Sequence, residues 1–193
     1  MFSPAIETSI QDYLKDKDRP NRISIGIHSR HIRDNNDGSD VSYEMQCLDL
    51  ILQKQQQQQQ TNQENKNGPD GDDLPPCTVY VMADRAATLE HVKTESAKRN
   101  CATVTVDHRT ILPAANSLYK QEHGPFAGGD FFRDWLVVSQ AQTGFIHYKD
   151  RSSSALVYET MVYDGMAEGR IDSPVLRCSI DWRGGGALNL YDY

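Results

Sequence analysis

Thr78-Val79-Tyr80-Val81-Met82 is a nearly unbroken apolar run. A strand of that kind has no wet face, so it belongs in a parallel sheet covered on both sides. Covering both faces takes helices between strands, and the rest of the chain reads as an alternation that supplies them. Ile23, Ile25 and Ile27 alternate with Ser24, Gly26 and His28, which makes a short β-branched strand. Asp40 or Ser39 can cap a helix over about 41–52, with Met45, Leu48, Ile51 and Leu52 on one side. Further helices are expected over about 87–98, after Asp130 (with Phe131, Trp135 and Val138 on one face) and over about 153–163. Further strands are expected over 102–106 and 143–146, with 147–152 as a turn and 175–180 as an edge strand.

The predicted architecture is therefore α/β: a Rossmann-like parallel sheet flanked by helices, spanning 21–193. A chain of 193 residues can bury roughly two-thirds of its unfolded surface, enough for one such domain. Residues 1–20 read as a tail or short amphipathic helix, with Phe2, Ile6, Ile10 and Leu14 at helical spacing. Residues 53–76, including the Gln55–Gln60 run, have almost no apolar surface to bury and read as a disordered insertion.

A net charge of −7 argues against a non-specific grip on nucleic acid, which needs clustered cations. It leaves room for a small basic pocket. No run approaches the length of a membrane span, and residues 1–22 lack the basic flank and apolar stretch of a signal peptide. Cys47, Cys77, Cys101 and Cys178 form no CxxC pair, so no metal site is expected. Buried free thiols are the default reading, with one or two disulfides the rival.

In an open parallel sheet, ligands bind beyond the carboxyl ends of the strands. After the first strand come His28, Ser29, Arg30, His31 and Arg33; after the second, Asp84 and Arg85; after the fourth, Arg151 and then Ser152, Ser153 and Ser154 before a helix. Helix N-termini attract phosphate, and an arginine fork bonds two of its oxygens. Asp84 suits a ribose hydroxyl or a guanine edge. Together these residues read as a pocket for a nucleoside diphosphate. Each has a plainer role: His28 as a hydrogen-bonded structural histidine, Arg30 and Arg33 as surface charges, Asp84 and the serines as helix caps.

IGIHSRHIRD resembles the first motif of the fucosyltransferase superfamily that includes α1,6-fucosyltransferases, protein O-fucosyltransferases and bacterial Nod-factor enzymes. VYVMADRAATLEHV is similar to the second motif, and DWLVVSQAQTGFIHYKDRSSSALVYETM to the third, in family order over about 22–164. The resemblance implies the C-terminal lobe of a GT-B glycosyltransferase that binds GDP-fucose, inverts the anomeric centre and requires no metal. It implies that Arg30 binds the β-phosphate, that His28 accompanies it, that Asp84 reads the nucleoside, and that Ser153 and Ser154 hold phosphate. It also implies a glycan or protein acceptor and the Golgi or ER lumen.

Several positions depart from the family pattern. His31 follows Arg30 where many members have a second arginine, a charge Arg33 would supply, and Arg85 stands where some members have a second acid. Asp34, Asp37 and Asp40 are candidates for the base that activates an acceptor hydroxyl. Asp37, beside Gly38, is favoured, although Asn-Asp-Gly is equally a plain turn. The family places an acceptor lobe ahead of the His-x-Arg strand, where about twenty residues stand here, so the expectation is a donor-binding half that is a fragment, pairs with a partner lobe or chain, or has lost transfer activity. Two alternatives accompany it. One is a non-catalytic nucleotide-sugar or glycan-binding module. The other is a histidine-phosphatase-like hydrolase built on Arg30-His31, against which Ile32 and Asp34 stand where that loop has Gly and Arg.

Overall fold

The computed structural model describes residues 23–29, 40–62, 77–83, 85–105, 134–149, 152–167, 169, 171, 175–181 and 187–192. Six strands form one sheet: β1 Ile23–Ser29, β2 Cys77–Ala83, β3 Cys101–Val104, β4 Gly144–Tyr148, β5 Leu176–Asp181 and β6 Ala187–Asp192. Their order is β3-β2-β1-β4-β5-β6. The first five run parallel, and β6 returns antiparallel along β5. Three helices flank the sheet: α1 Ser42–Asn62, α2 Ala86–Ala97 and α3 Ser152–Ala167. A short helical stretch covers 134–138.

Every residue of β1, β2 and β4 is buried, as the unbroken apolar run requires. Strand periodicity sends alternate side chains to opposite faces. Ile25, Ile27, Val79 and Val81 meet Met45, Leu48 and Ile51 of α1 on one face. Tyr80, Met82 and Phe145 meet Val138, Val157 and Met161 on the other. Each such side chain contributes about 1.5–3 kcal/mol on burial. Gly26 lies on the second face, where an added Cβ would stand 2.9 Å from Val138 Cγ1, so only glycine lets the 134–138 stretch approach this closely. Arg99 clamps α1 to α2 through a two-pronged bond to Asp49, 2.6 Å from Nε to Oδ1 and 2.9 Å from Nη2 to Oδ2.

Asp40 does cap α1, its Oδ1 accepting the Ser42 N–H at 3.0 Å. The helix does not stop at residue 52, however. It continues through Gln55–Gln60 to Asn62. Glutamine is a good helix former, and a helix nucleated by a buried first half propagates without further apolar anchors. Residues 1–20 and 63–76, together with Asp130 and Phe131, lie outside the described residues.

Two further expectations are corrected. The strand placed at 143–146 extends to Tyr148, so His147 belongs to the sheet and not to a turn. β5 is not an edge strand, because β6 pairs along its outer side. The free-thiol default is corrected as well. Cys47 of α1 is bonded to Cys178 of β5, and Cys77 to Cys101, with Cα separations of 5.8 and 4.7 Å. Cys77 and Cys101 are register partners that open β2 and β3.

Candidate functional site

The order β3-β2-β1-β4 places the topological switch point between β1 and β4, the two strands whose following segments lead to helices on opposite faces. The crevice beyond their carboxyl ends is the usual ligand site of such a sheet. Four polar residues close the two strands there: His28 and Ser29 on β1, His147 and Tyr148 on β4. His28 and His147 are direct register partners. The alternation sends His28 and His147 to the α3 face, and Ser29 and Tyr148 to the α1 face.

Each pair is fastened to the helix on its own side. On the α3 face, Ser154 Oγ and His28 Nδ1 share a hydrogen bond of 2.8 Å, and both residues are buried. On the α1 face, Glu44 stands in the first turn of α1 and is fully buried. Ser29 Oγ and Tyr148 Oη both donate to Glu44 Oε1, the tyrosine at 3.0 Å. A carboxylate in the first helical turn is favoured by the positive end of the helix dipole.

His147 sits in a second buried network on the α3 face. Arg177 Nε–H donates to its Nε2 at 2.8 Å, so the ring proton lies on Nδ1, which donates to the Tyr148 carbonyl at 3.0 Å. Phe145 stacks on His147 with ring centroids 5.5 Å apart, and the Arg177 guanidinium lies 4.8 Å over the Tyr158 ring. Burial, joined by the Arg177 charge, lowers the His147 pKa from 6.5 to about 4, against the smaller opposing pull of the Tyr148 carbonyl.

The sign of the resulting pH effect follows from linkage. Between pH 6.5 and about 4 the unfolded chain carries a proton on this histidine and the folded chain does not. The contribution is therefore present above pH 6.5 and is lost as pH falls, by up to about 1.4 kcal/mol per unit. Urea unfolding of the wild type and of His147→Gln at pH 7 and pH 5 should show a shallower pH dependence in the variant. Equal slopes would mean that His147 titrates normally in the folded protein.

The structure brings together two of the candidate site residues, His28 and Ser154. Ser152 and Ser153 form the first turn of α3, at the same edge of the sheet. Arg85 occupies the N-cap position of α2, two residues past the end of β2, with extended backbone and a half-buried side chain. Arg30, His31, Arg33, Asp34, Asp37 and Asp84 lie outside the described residues. Glu44, Tyr148 and Arg177 were not foreseen. A signal for Glu44 was present, since it falls on the same helical stripe as Val41, Met45, Leu48 and Ile51.

Fold and site together define a Rossmann-like α/β domain with buried polar residues at the ends of the two strands that border its switch point. No protein-family model matches the chain, and no curated protein matches it significantly.

Proposed function

We propose that this chain is the donor-binding part of a fucosyltransferase-type glycosyltransferase of the GT-B kind, which takes GDP-fucose and passes fucose to a glycan or protein acceptor. The observation that carries the reading is the buried His28–Ser154 hydrogen bond, which joins the first sequence motif to the third at the switch point of a parallel sheet. Arg30 follows Ser29, the last residue of β1, directly in the sequence. Ser152 and Ser153 open α3, whose N-terminal N–H groups favour an anion.

In this reading the acceptor oxygen attacks the anomeric carbon as the bond from that carbon to the β-phosphate oxygen breaks. GDP leaves with the electron pair. Arg30 and the start of α3 stabilise the charge growing on the diphosphate, Arg33 adds a second cation, and Asp84 and Arg85 meet the nucleoside. Asp37 takes the proton from the acceptor hydroxyl. Two buried disulfides suit maturation in an oxidising lumen such as the ER or Golgi.

Thermal-shift titration with GDP and GDP-fucose tests the reading. Ligand at a hundredfold excess over Kd should stabilise the chain by about 2.7 kcal/mol. Arg30→Ala should abolish most of the shift while leaving the ligand-free Tm near the wild-type value. No response of the wild type to either nucleotide would sink donor binding.

A further inference from the structure

We propose that Arg177 anchors a separate ligand site, which takes the carboxylate of a small acidic molecule on the α3 face of the sheet, where β5 and β6 lie side by side. Arg177 stands second in β5 and is half-buried. It faces α3, since its neighbour Cys178 is bonded to α1 on the other face. A guanidinium carries five N–H donors and stays charged in a protein. Among the described residues one of those donors is engaged: Nε–H, which His147 Nε2 accepts at 2.8 Å. No carboxylate of the described residues pairs with it. Arg99, equally half-buried, is met by Asp49 and Glu95, and the acid on the Arg177 face of β5, Asp181, is paired with Lys149.

Withdrawing a cation from water without an opposing charge is costly. His147 does not supply that charge. Its ring is neutral, accepting at Nε2 and donating from Nδ1 to the Tyr148 carbonyl, so it fixes the guanidinium without balancing it. The Tyr158 ring, 4.8 Å away, fixes its face. What remains is the outer edge, where the Nη1 and Nη2 N–H groups form a fork already set in place. That fork matches the two oxygens of a carboxylate. β6 forms the neighbouring wall: Tyr191 is the register partner of Arg177, and Asn189 stands two residues earlier on the same face. Leu188 and Leu190 between them pack toward α1. Tyr191 is 40% exposed, so this wall is open to solvent. Charge favours a carboxylate over a phosphate dianion, because one cation balances one negative charge and the chain as a whole carries −7. Every residue involved stands on β4, β5, β6 or α3, and none belongs to the donor-binding reading, so the two are tested separately.

Glucuronate and N-acetylalanine present one carboxylate on a sugar and on an amino acid, and serve as probes. Glucose is the neutral control and inorganic phosphate the dianion. Binding is followed at pH 7 and low salt by NMR, through the side-chain N–H signals of Arg177. The expected result is saturable binding of a carboxylate probe with a Kd on the order of 1 mM, at least about tenfold tighter than glucose. The tighter of the two probes names the source of the carboxylate. Arg177→Gln should weaken binding by about tenfold or more, and Arg177→Lys, which keeps the charge without the fork, by less. No saturable binding of either probe overturns the proposal, as does an unchanged Kd in a folded Arg177→Gln variant. Phosphate binding tighter than both carboxylates overturns it too. If Arg177→Gln does not fold, the wild-type spectrum decides: Arg177 signals that move with the same Kd support the proposal, and signals that stay fixed while others move overturn it.

Discussion

Replacing both Cys47 and Cys178 by alanine should lower the unfolding free energy by about 5 kcal/mol. The bond closes a loop with a sequence separation of 131 residues. In the chain-entropy picture, a loop of that size removes about 5 kcal/mol of freedom from the unfolded chain. The Cys77–Cys101 bond, with a separation of 24, is worth about 3.4 kcal/mol on the same basis. A domain of ordinary stability holds only about 5–15 kcal/mol in all, so full reduction should bring this chain close to the unfolding threshold. Urea unfolding with and without a strong reductant measures the effect. A midpoint that does not move on reduction, with the thiols shown by mass to be free, would mean that packing alone holds α1 to β5.

Phe145→Ala is expected to cost about 3–5 kcal/mol. Phe145, the second residue of β4, is fully buried and packs in the cluster on the α3 face with Met82, Val138, Val157 and Met161. Its ring lies 5.5 Å from the His147 ring and 5.8 Å from that of Tyr158. Truncation opens a cavity between two rings that a tightly packed interior refills only in part. Phe145→Leu, which restores much of the volume, should lose distinctly less. A second readout separates local from global damage. Admitting water beside His147 weakens the burial that holds its pKa near 4, so its NMR titration should move up toward 6.5. A cost below about 1 kcal/mol would show that the neighbouring side chains close over the gap.

The parallel sheet was legible because β2 is apolar on both faces and β1 alternates isoleucine with small or polar residues. The end of α1 was not. Its apolar stripe fades after Ile51, while its backbone continues on glutamine propensity, which leaves no periodic mark. β4 looked short because His147 and Tyr148 are polar at one end, and their hydrogen-bond partners come from α1, β5 and the chain itself. The role of β5 depended on β6, whose sequence Ala-Leu-Asn-Leu-Tyr-Asp gives little hint of what it pairs with.

At the candidate site, His28 and the serines could be placed at strand and helix ends from sequence alone. That one of them, Ser154, meets His28 across a separation of 126 residues could not. Nor could four cysteines reveal their partners, since three connectivities are open to them. Glu44 could have been found from its place on the stripe of Val41, Met45, Leu48 and Ile51, although an acid there gives no sign of which partners satisfy it.

The Cys47–Cys178 bond turns most of the molecule into a covalent ring. It begins on α1, passes through the glutamine tract and β1's other neighbours, and closes on β5. A backbone cut anywhere between Asn62 and Cys77 falls inside that ring. Such a nick divides the chain without releasing either part: the piece bearing β1 and α1 stays chained to the piece bearing β2 through β6. The segment between α1 and β2, like every connection between Cys47 and Cys178, can thus be severed while the protein remains a single molecule, for as long as its surroundings stay oxidising.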